Sequence, residues 1–476
     1  NVFEKDAALN WATHYSGTTR AVYSTRDNSG NFYVTGTFRD FSNFKDNTTL
    51  NAIYSSGSDD GYVAKYNENG ELQWANTFGG NFNDRGDWIE IDNEGNLIVS
   101  GGITQVATFS DGGQLGSTDT PNDQKQTIIL KLNGNTGDLL WKTYTGYTYN
   151  LSGYNDEDAV NSILINSDET IISVVNPWYW NTDNTLKISE VNSTNGSASL
   201  VGEVPFYGRS RDIELDTNDN IYLAGQDYSD TTGSWSYSAQ LVKINSNYDL
   251  VWRIMMPGSS DPQIKNIEHD PVNNLIYLTG NGTGLNYNPL GEAYTASIPD
   301  STGTFFGVYN TQGVMQSVNI FANSSANTVS SNYLSMSIME GRLLLSGTFY
   351  GYPDFDVTSE QFYPVQNYNT GGRQFISIYD LEGGLELTGQ YFFSDDQYSQ
   401  IYLNGNNLTR VYQYSSDSRL YTYDHELIVG TTNIPVINNN SIGSATGIVS
   451  YTVDLEDFPS NTAPVVSNAN SKAAFT

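Results

Sequence analysis

The chain has 476 residues, in which 21 Lys and Arg stand against 53 Asp and Glu, so the formal net charge is −32 and the sequence pI about 4.1. That balance leaves no basic footprint for a phosphate backbone and is repelled by an anionic membrane surface, which excludes nucleic-acid binding by counterion release. The absence of cysteine excludes disulfides, thiolate nucleophiles and Cys-ligated zinc or iron–sulfur sites.

Forty-four glycines and abundant Asn, Ser and Thr, with few Lys, Glu or Ala, describe a chain poor in helix formers and rich in strand and turn residues. The 34 Tyr, 20 Phe and 8 Trp supply material for a core, so an all-β globular fold is expected. The opening residues 1–9 carry neither the basic nor the apolar region of a secretory signal. The Asn/Thr/Ser/Tyr-rich, Lys-poor composition favours an exported protein, extracellular or at a cell surface, met without its signal peptide.

Along the chain one phrase recurs: a strand, a turn of Asp, Asn and Gly, then a second strand closing on Gly. It reads "YSTRDNSGNFYVTG" ending at Gly36, "IEIDNEGNLIVSG" at Gly101, "IELDTNDNIYLAG" at Gly225, "IEHDPVNNLIYLTG" at Gly280 and "MSIMEGRLLLSG" at Gly347. Degenerate copies at 161–175 and 399–414 bring the count to seven. A second hairpin phrase follows each, beginning at Tyr62, Ile128, Leu186, Gln240, Phe305 and Phe375. Its seventh copy is split, residues 447–455 supplying one strand and residues 9–17 the other, with Trp11 falling where Trp74, Trp141 and Trp252 fall.

Two hairpins per unit give four antiparallel strands. Seven such units predict a seven-bladed β-propeller over residues 1–458, its last blade closed by the N-terminal strand, since joining first and last units removes an open sheet edge. Residues 459–476, with Pro459, Pro464 and no pattern, read as a linker or tail, and a sequence beginning "NTAPVV" there suits a chain that continues into further domains.

The string from Asp59 to Gly102, "DDGYVAKYNENGELQWANTFGGNFNDRGDWIEIDNEGNLIVSGG", resembles the bacterial SBBP-type β-propeller repeat. The copy at 20–37 matches closely and the others drift. The resemblance implies an exported or surface-displayed propeller and no single activity. The outer phrase "TGDLLWKTYTG" also resembles, in a generic way, the repeat of quinone-dependent dehydrogenase propellers, which usually have eight blades.

Few residues offer chemistry. His14, His269 and His425 are scattered, and no nucleophile motif is present. Asp84, Asp87, Asp92, Asp156, Asp158, Asp212, Asp216, Asp261 and Asp270 recur at repeat-equivalent places and are expected to shape turns rather than to catalyse. No cofactor is expected. Calcium is the one candidate, at Asp216, Asn218 and Asn220 or at the acids of 154–158, although neither segment has the glycine and distal Glu of an EF-hand.

What breaks the repeat is aromatic: Trp178, Tyr179 and Trp180 follow the third inner hairpin, Trp235 and Tyr237 the fourth, and "FYGYPDFD" from Phe349 the sixth. These loops are expected on one rim, where planar rings would meet a glycan or a protein partner. The function expected is a non-catalytic recognition or scaffold module. The alternatives are a carbohydrate-active hydrolase or lyase using rim or channel carboxylates, and a structural domain of a large adhesin.

Overall fold

The structure is a computed structural model that describes residues 7–14, 16–45, 52–122, 124–150, 161–176, 185–230, 235–291, 295, 303–321, 328–350, 373–381, 385–391, 396–405, 407–414, 427–429, 432–433 and 445–453. The described elements are strands, sorted into antiparallel sheets in which each hairpin phrase supplies two neighbours. The first sheet runs Ser16–Arg26, Phe32–Asn43, Ile53–Tyr66 and Leu72–Phe78. The second is Arg85–Ile91, Leu97–Ile103, Gln124–Leu132 and Leu139–Asn150, with a two-stranded ribbon inserted between its middle strands.

The third is Asn161–Ile165, Ile171–Val175, Thr185–Val191 and Ala198–Pro205. Gly208–Leu215, Ile221–Asp230, Trp235–Ile244 and Leu250–Pro257 make the fourth. Ser259–Asp270, Leu275–Thr283, Gly303–Asn310 and Met315–Ile320 make the fifth. A further sheet begins with Thr328–Met339, Arg342–Tyr350, Arg373–Asp380 and Leu385–Tyr391.

The closing sheet takes Asp396–Asn404, Asn407–Tyr414 and Ala445–Val453 from the end of the chain and Ala7–His14 from its beginning. The first strands of successive sheets touch in chain order, and that of the closing sheet returns to Ser16–Arg26. The protein is thus an all-β propeller of four-stranded antiparallel blades, its first strands innermost. Among the described residues six sheets have four strands; the one beginning at Thr328 has six, because Leu427–Val429 and Thr432–Asn433 add to its outer edge at Leu385–Tyr391. An outermost strand presents a row of unpaired backbone groups, and this addition covers them.

The register verifies the split repeat. Lys65 pairs with Trp74, Lys131 with Trp141 and Lys243 with Trp252, while Ser450 pairs with Trp11 at the corresponding place. The outer tryptophans pack against the next sheet's outer turn. A Cβ on Gly137 would lie 2.7 Å from the Trp74 ring and one on Gly196 2.7 Å from Trp141, and both glycines have φ near +75°, so the ring and the turn together require glycine.

On the same turn rim, polar side chains cross three of the seams to a turn carbonyl. Lys65 Nζ and Tyr33 OH donate to Gly134 O at 2.9 and 3.4 Å. Lys131 Nζ and Trp141 Nε1 donate to Ser193 O at 3.1 and 3.0 Å. Lys243 Nζ and Tyr222 OH donate to Thr311 O at 3.3 and 3.4 Å. Between these clasps lie the apolar residues of the second and third strands, such as Leu97, Ile98, Val99, Leu223 and Leu241, fully buried between neighbouring sheets.

Removal of Ala7–His14 exposes Ala445–Val453 as an open edge. We expect such a truncated protein to melt at lower temperature and to self-associate; thermal melting with size-exclusion chromatography checks this, and an unchanged monomer would contradict non-covalent closure.

Candidate functional site

Tyr237 is the described member of the sequence-predicted aromatic set whose side chain is placed. It is 38% exposed and pairs across strands with Tyr228, the rings meeting edge to face at 5.1 Å. The Arg209 guanidinium lies 5.4 Å over the Tyr228 ring, and Tyr207, 45% exposed, accepts the Tyr228 N–H at its carbonyl. Trp235 begins the same strand as Tyr237, opposite Asp230. A cluster of tyrosines with an arginine therefore stands on the rim opposite the hairpin turns, where the second strand of the fourth sheet passes to the third. Trp178, Tyr179, Trp180 and the residues from Gly351 to Asp356 lie outside the described residues.

A second group of residues lies along the axis. Glu90 of the second sheet, Asp212 and Glu214 of the fourth and Glu268 of the fifth all belong to innermost strands and are partly accessible, as the wall of a narrow channel is. Burial pushes the Glu90 and Asp212 carboxyls up to about 7. It raises Glu214 and Glu268 well above the ordinary carboxylate range, and there the neighbouring acids add repulsion.

Two of these carboxyls, Asp212 and Glu268, accept backbone N–H groups of the next sheet. The innermost strands of these sheets are bulged, at Gly86/Trp88, Ser210/Asp212 and Ile264/Asn266, and because an innermost strand has a neighbour on one side only, its inward-facing amides lie outside the ladder. Asp212 accepts the N–H of Ile267 in the next sheet at 3.0 Å, and Glu268 that of Ile338 in the sheet after it. Gln400 accepts the N–H of Ser24 across the closing seam at 2.6 Å. Glu90 accepts from Trp88 Nε1 at 2.8 Å, and Trp88 stacks on Tyr23 of the first sheet at 3.8 Å.

The expected turn acids divide. Asp92, Asp216 and Asp270 do cap their own turns, Asp216 accepting from the N–H groups of Asn218 and Asn220, from Asn220 Nδ2 and from Tyr222 OH. Asp212 and Asp87 do not: both lie inside innermost strands at bulges, so the repeat places them at a seam rather than in a turn. Asp87 accepts from Arg85 and Asn161, the latter in the third sheet. Asp261 lies in Ser259–Asp270, and Asp156 and Asp158 lie outside the described residues.

Asp84, fully buried, accepts the N–H groups of Gly80 and Thr104 at 2.7 Å each, and burial raises its carboxyl to about 7. Nearby Asp60, also buried, is raised to about 6 by the same cause. A Cβ on Gly79 would lie 2.3 Å from the Asp60 carboxylate, which accounts for the glycine pair of the repeat.

His269 is buried in an innermost strand, its Nε2 3.3 Å from Asn274 Oδ1; His14 ends the N-terminal strand, and His425 lies outside the described residues. Among the described residues no group of three or more His, Asp or Glu is arranged to hold a metal ion. The second calcium candidate, 154–158, lies outside them.

Glu90, Glu214 and Glu268 were missed by the sequence reasoning, which looked for acids that break the repeat. Their signal is the glutamate that follows a core-facing isoleucine in "IEID", "IELD" and "IEHD", and so points to the opposite side of the strand.

No protein-family model matches the chain. No curated protein matches it in sequence either. Among solved structures it is similar to a protein of unknown function from Bacteroides caccae, at 12% identity over 54% of this chain and 89% of that one, with a TM-score of 0.26. It is also similar to the quinohemoprotein alcohol dehydrogenase from Comamonas testosteroni, at 8% identity over 93% of this chain and 76% of that one, with a TM-score of 0.40.

An acid that holds its proton more tightly in the folded chain stabilises the fold most below its unfolded pKa, about 4, and that contribution is lost as pH rises towards 7. We therefore expect the Tm to fall between about pH 5 and about pH 8. The Glu214→Gln/Glu268→Gln variant should raise the Tm at the alkaline end by roughly 2–4 °C and flatten the profile. Glu71→Gln, on an exposed turn, is the control for net charge. A double variant with the slope of the parent would remove the axial carboxyls as its cause.

Proposed function

We propose that the protein is a non-catalytic recognition or scaffold module, exported to the cell surface, that engages a glycan or a protein partner through its aromatic rim. The propeller with four-stranded blades suits that role, and the observation that carries the reading is the tyrosine cluster of Tyr207, Tyr228 and Tyr237 with Arg209, partly exposed at the head of the fourth sheet. Such rings offer large planar contact at low entropic cost, and an arginine beside them favours the centre of an interface. Trp178, Tyr179, Trp180 and Trp235 belong to the same proposed surface.

In this reading the blade count is seven, the sheet from Thr328 being a blade whose outer edge is extended. The repeat is kin to the SBBP type, supported by the match of Asp59–Gly102, in which Gly79 gives way to Asp60. The axial carboxyls then act as structural acceptors for the neighbouring sheet.

The second reading, a carbohydrate-active hydrolase or lyase, has one observation on its side, the neighbouring acids Glu90, Asp212, Glu214 and Glu268, all held above the ordinary carboxylate range.

Binding to a glycan array and capture of partners from surface extracts should fall about tenfold or more in the Tyr228→Ala/Tyr237→Ala variant, with the fold intact by circular dichroism. Binding that survives this change and the triple alanine change at 178–180 would overturn the rim as the site. Release of reducing sugar from any polysaccharide, abolished by Glu214→Gln, would favour the enzyme reading instead.

A further inference from the structure

On the turn rim the seam between the closing sheet and the first sheet differs from the first-to-second and fourth-to-fifth seams. At the first-to-second seam the cross-strand pair Tyr33 and Lys65 fills the space and donates to Gly134 O; at the fourth-to-fifth seam Tyr222 and Lys243 do the same at Thr311 O. In the closing sheet the pair at that register is Thr409 and Ser450. Both are short, and they bond each other at 3.2 Å instead of reaching across.

Facing them is Glu68, which follows Asn67 in its turn as Gly134 follows Asn133 and Thr311 follows Asn310. What Tyr and Lys occupy at those two seams is here a half-open cavity of about 240 Å³.

Its lining is polar and charge-balanced. Arg26 stands where the other inner strands have Ile91, Leu215 or His269, and enters the cavity beside Glu68. Its Nη1 donates to Leu403 O at 3.2 Å, while its Nε is buried with no acceptor among the described residues. Asn10 Nδ2 donates to Asn407 Oδ1 at 3.2 Å and to Ser450 Oγ at 3.3 Å, so the N-terminal strand itself contributes to the wall.

A cation in this space meets Arg26, and an anion meets Glu68 within a protein of net charge −32. A neutral polyol meets neither penalty: its hydroxyls donate to Glu68 and accept from Arg26 and the asparagine amides. The volume is below the roughly 300–1,000 Å³ of sites for drug-sized ligands, which limits the occupant to one ring. We propose that this seam cavity binds a single neutral sugar residue, either free or as the terminal unit of a glycan. It lies on the turn rim, opposite the tyrosine cluster, so it goes beyond the rim reading and stands or falls separately from it.

The test uses glucose, galactose, mannose, N-acetylglucosamine and fucose, free and as methyl glycosides, at millimolar concentration, read by calorimetry and by the shift in Tm. A glycan array ordered by terminal sugar separates the two sources. We expect one of these sugars to bind and to raise the Tm of the unaltered protein. The Thr409→Tyr/Ser450→Lys variant, which restores the filled seam, should weaken binding about tenfold or more, and so should Asn407→Ala, while Tyr228→Ala/Tyr237→Ala leaves it unchanged.

Absence of binding by every probe, free or terminal, overturns the proposal. So does undiminished binding by the filled-seam variant or, should that variant not fold, by Asn407→Ala.

Discussion

The structure depends on hydrogen bonds that cross from one sheet to the next. A ring of separate sheets pairs its backbone within each sheet and leaves the seams to side chains. Dispersion and burial between flat faces hold the sheets together but set no register, whereas a donor aimed at one carbonyl does. On the turn rim the donors are lysine, tyrosine and tryptophan, reaching Gly134, Ser193 and Thr311. On the axis the direction is reversed, and Asp212, Glu268 and Gln400 accept amides of the following sheet. An innermost strand has a neighbour on one side only, so its inward N–H groups lie outside the ladder and meet these acceptors.

This account gives the axial acids a cost as well as a use. Several carboxyls close together near a narrow axis disfavour one another's ionisation, and burial disfavours it further. A protonated carboxyl still accepts a backbone N–H through its carbonyl oxygen, so the seams do not need these groups charged. The acids therefore sit where an acceptor is required, and their protonation adjusts to the surroundings. The same chemistry keeps Asp84 and Asp60 buried beside Gly79 and Gly80, with Asp84 bonded to two amides.

The sequence and the structure agree most where the signal repeats. Hairpin phrases, turn acids such as Asp92 and Asp216, and the pairing of Trp11 with the closing sheet were legible, because each is set by local turn chemistry or by a spacing that recurs. The added outer strands Leu427–Val429 and Thr432–Asn433 were not legible, since a strand two or three residues long that joins an existing edge has no periodicity to read.

Asp212 recurs at a repeat-equivalent place and for that reason is expected in a turn; it lies instead in the innermost strand Gly208–Leu215, beside the bulge at Ser210/Asp212. Of the aromatic loops the sequence singles out, Tyr237 is exposed beside Tyr228; Tyr207 and Arg209 precede the repeated phrase rather than follow it, so no break in the repeat marks them. The seam cavity had a faint signature, short residues where the first and fourth sheets carry Tyr and Lys, visible once register fixes which positions correspond.

The closing sheet also sets an order of events. Asn10 and Ser450 bond across 440 residues of chain, and that separation makes this contact slow to form and late to arrive. A chain emerging from a ribosome can stack its early sheets as they appear, but the strand Ala7–His14 has no partner until Ala445–Val453 is released. Until then its unpaired edge is free to meet the same edge of another copy, so correct assembly depends on how quickly the last part of the chain follows the first.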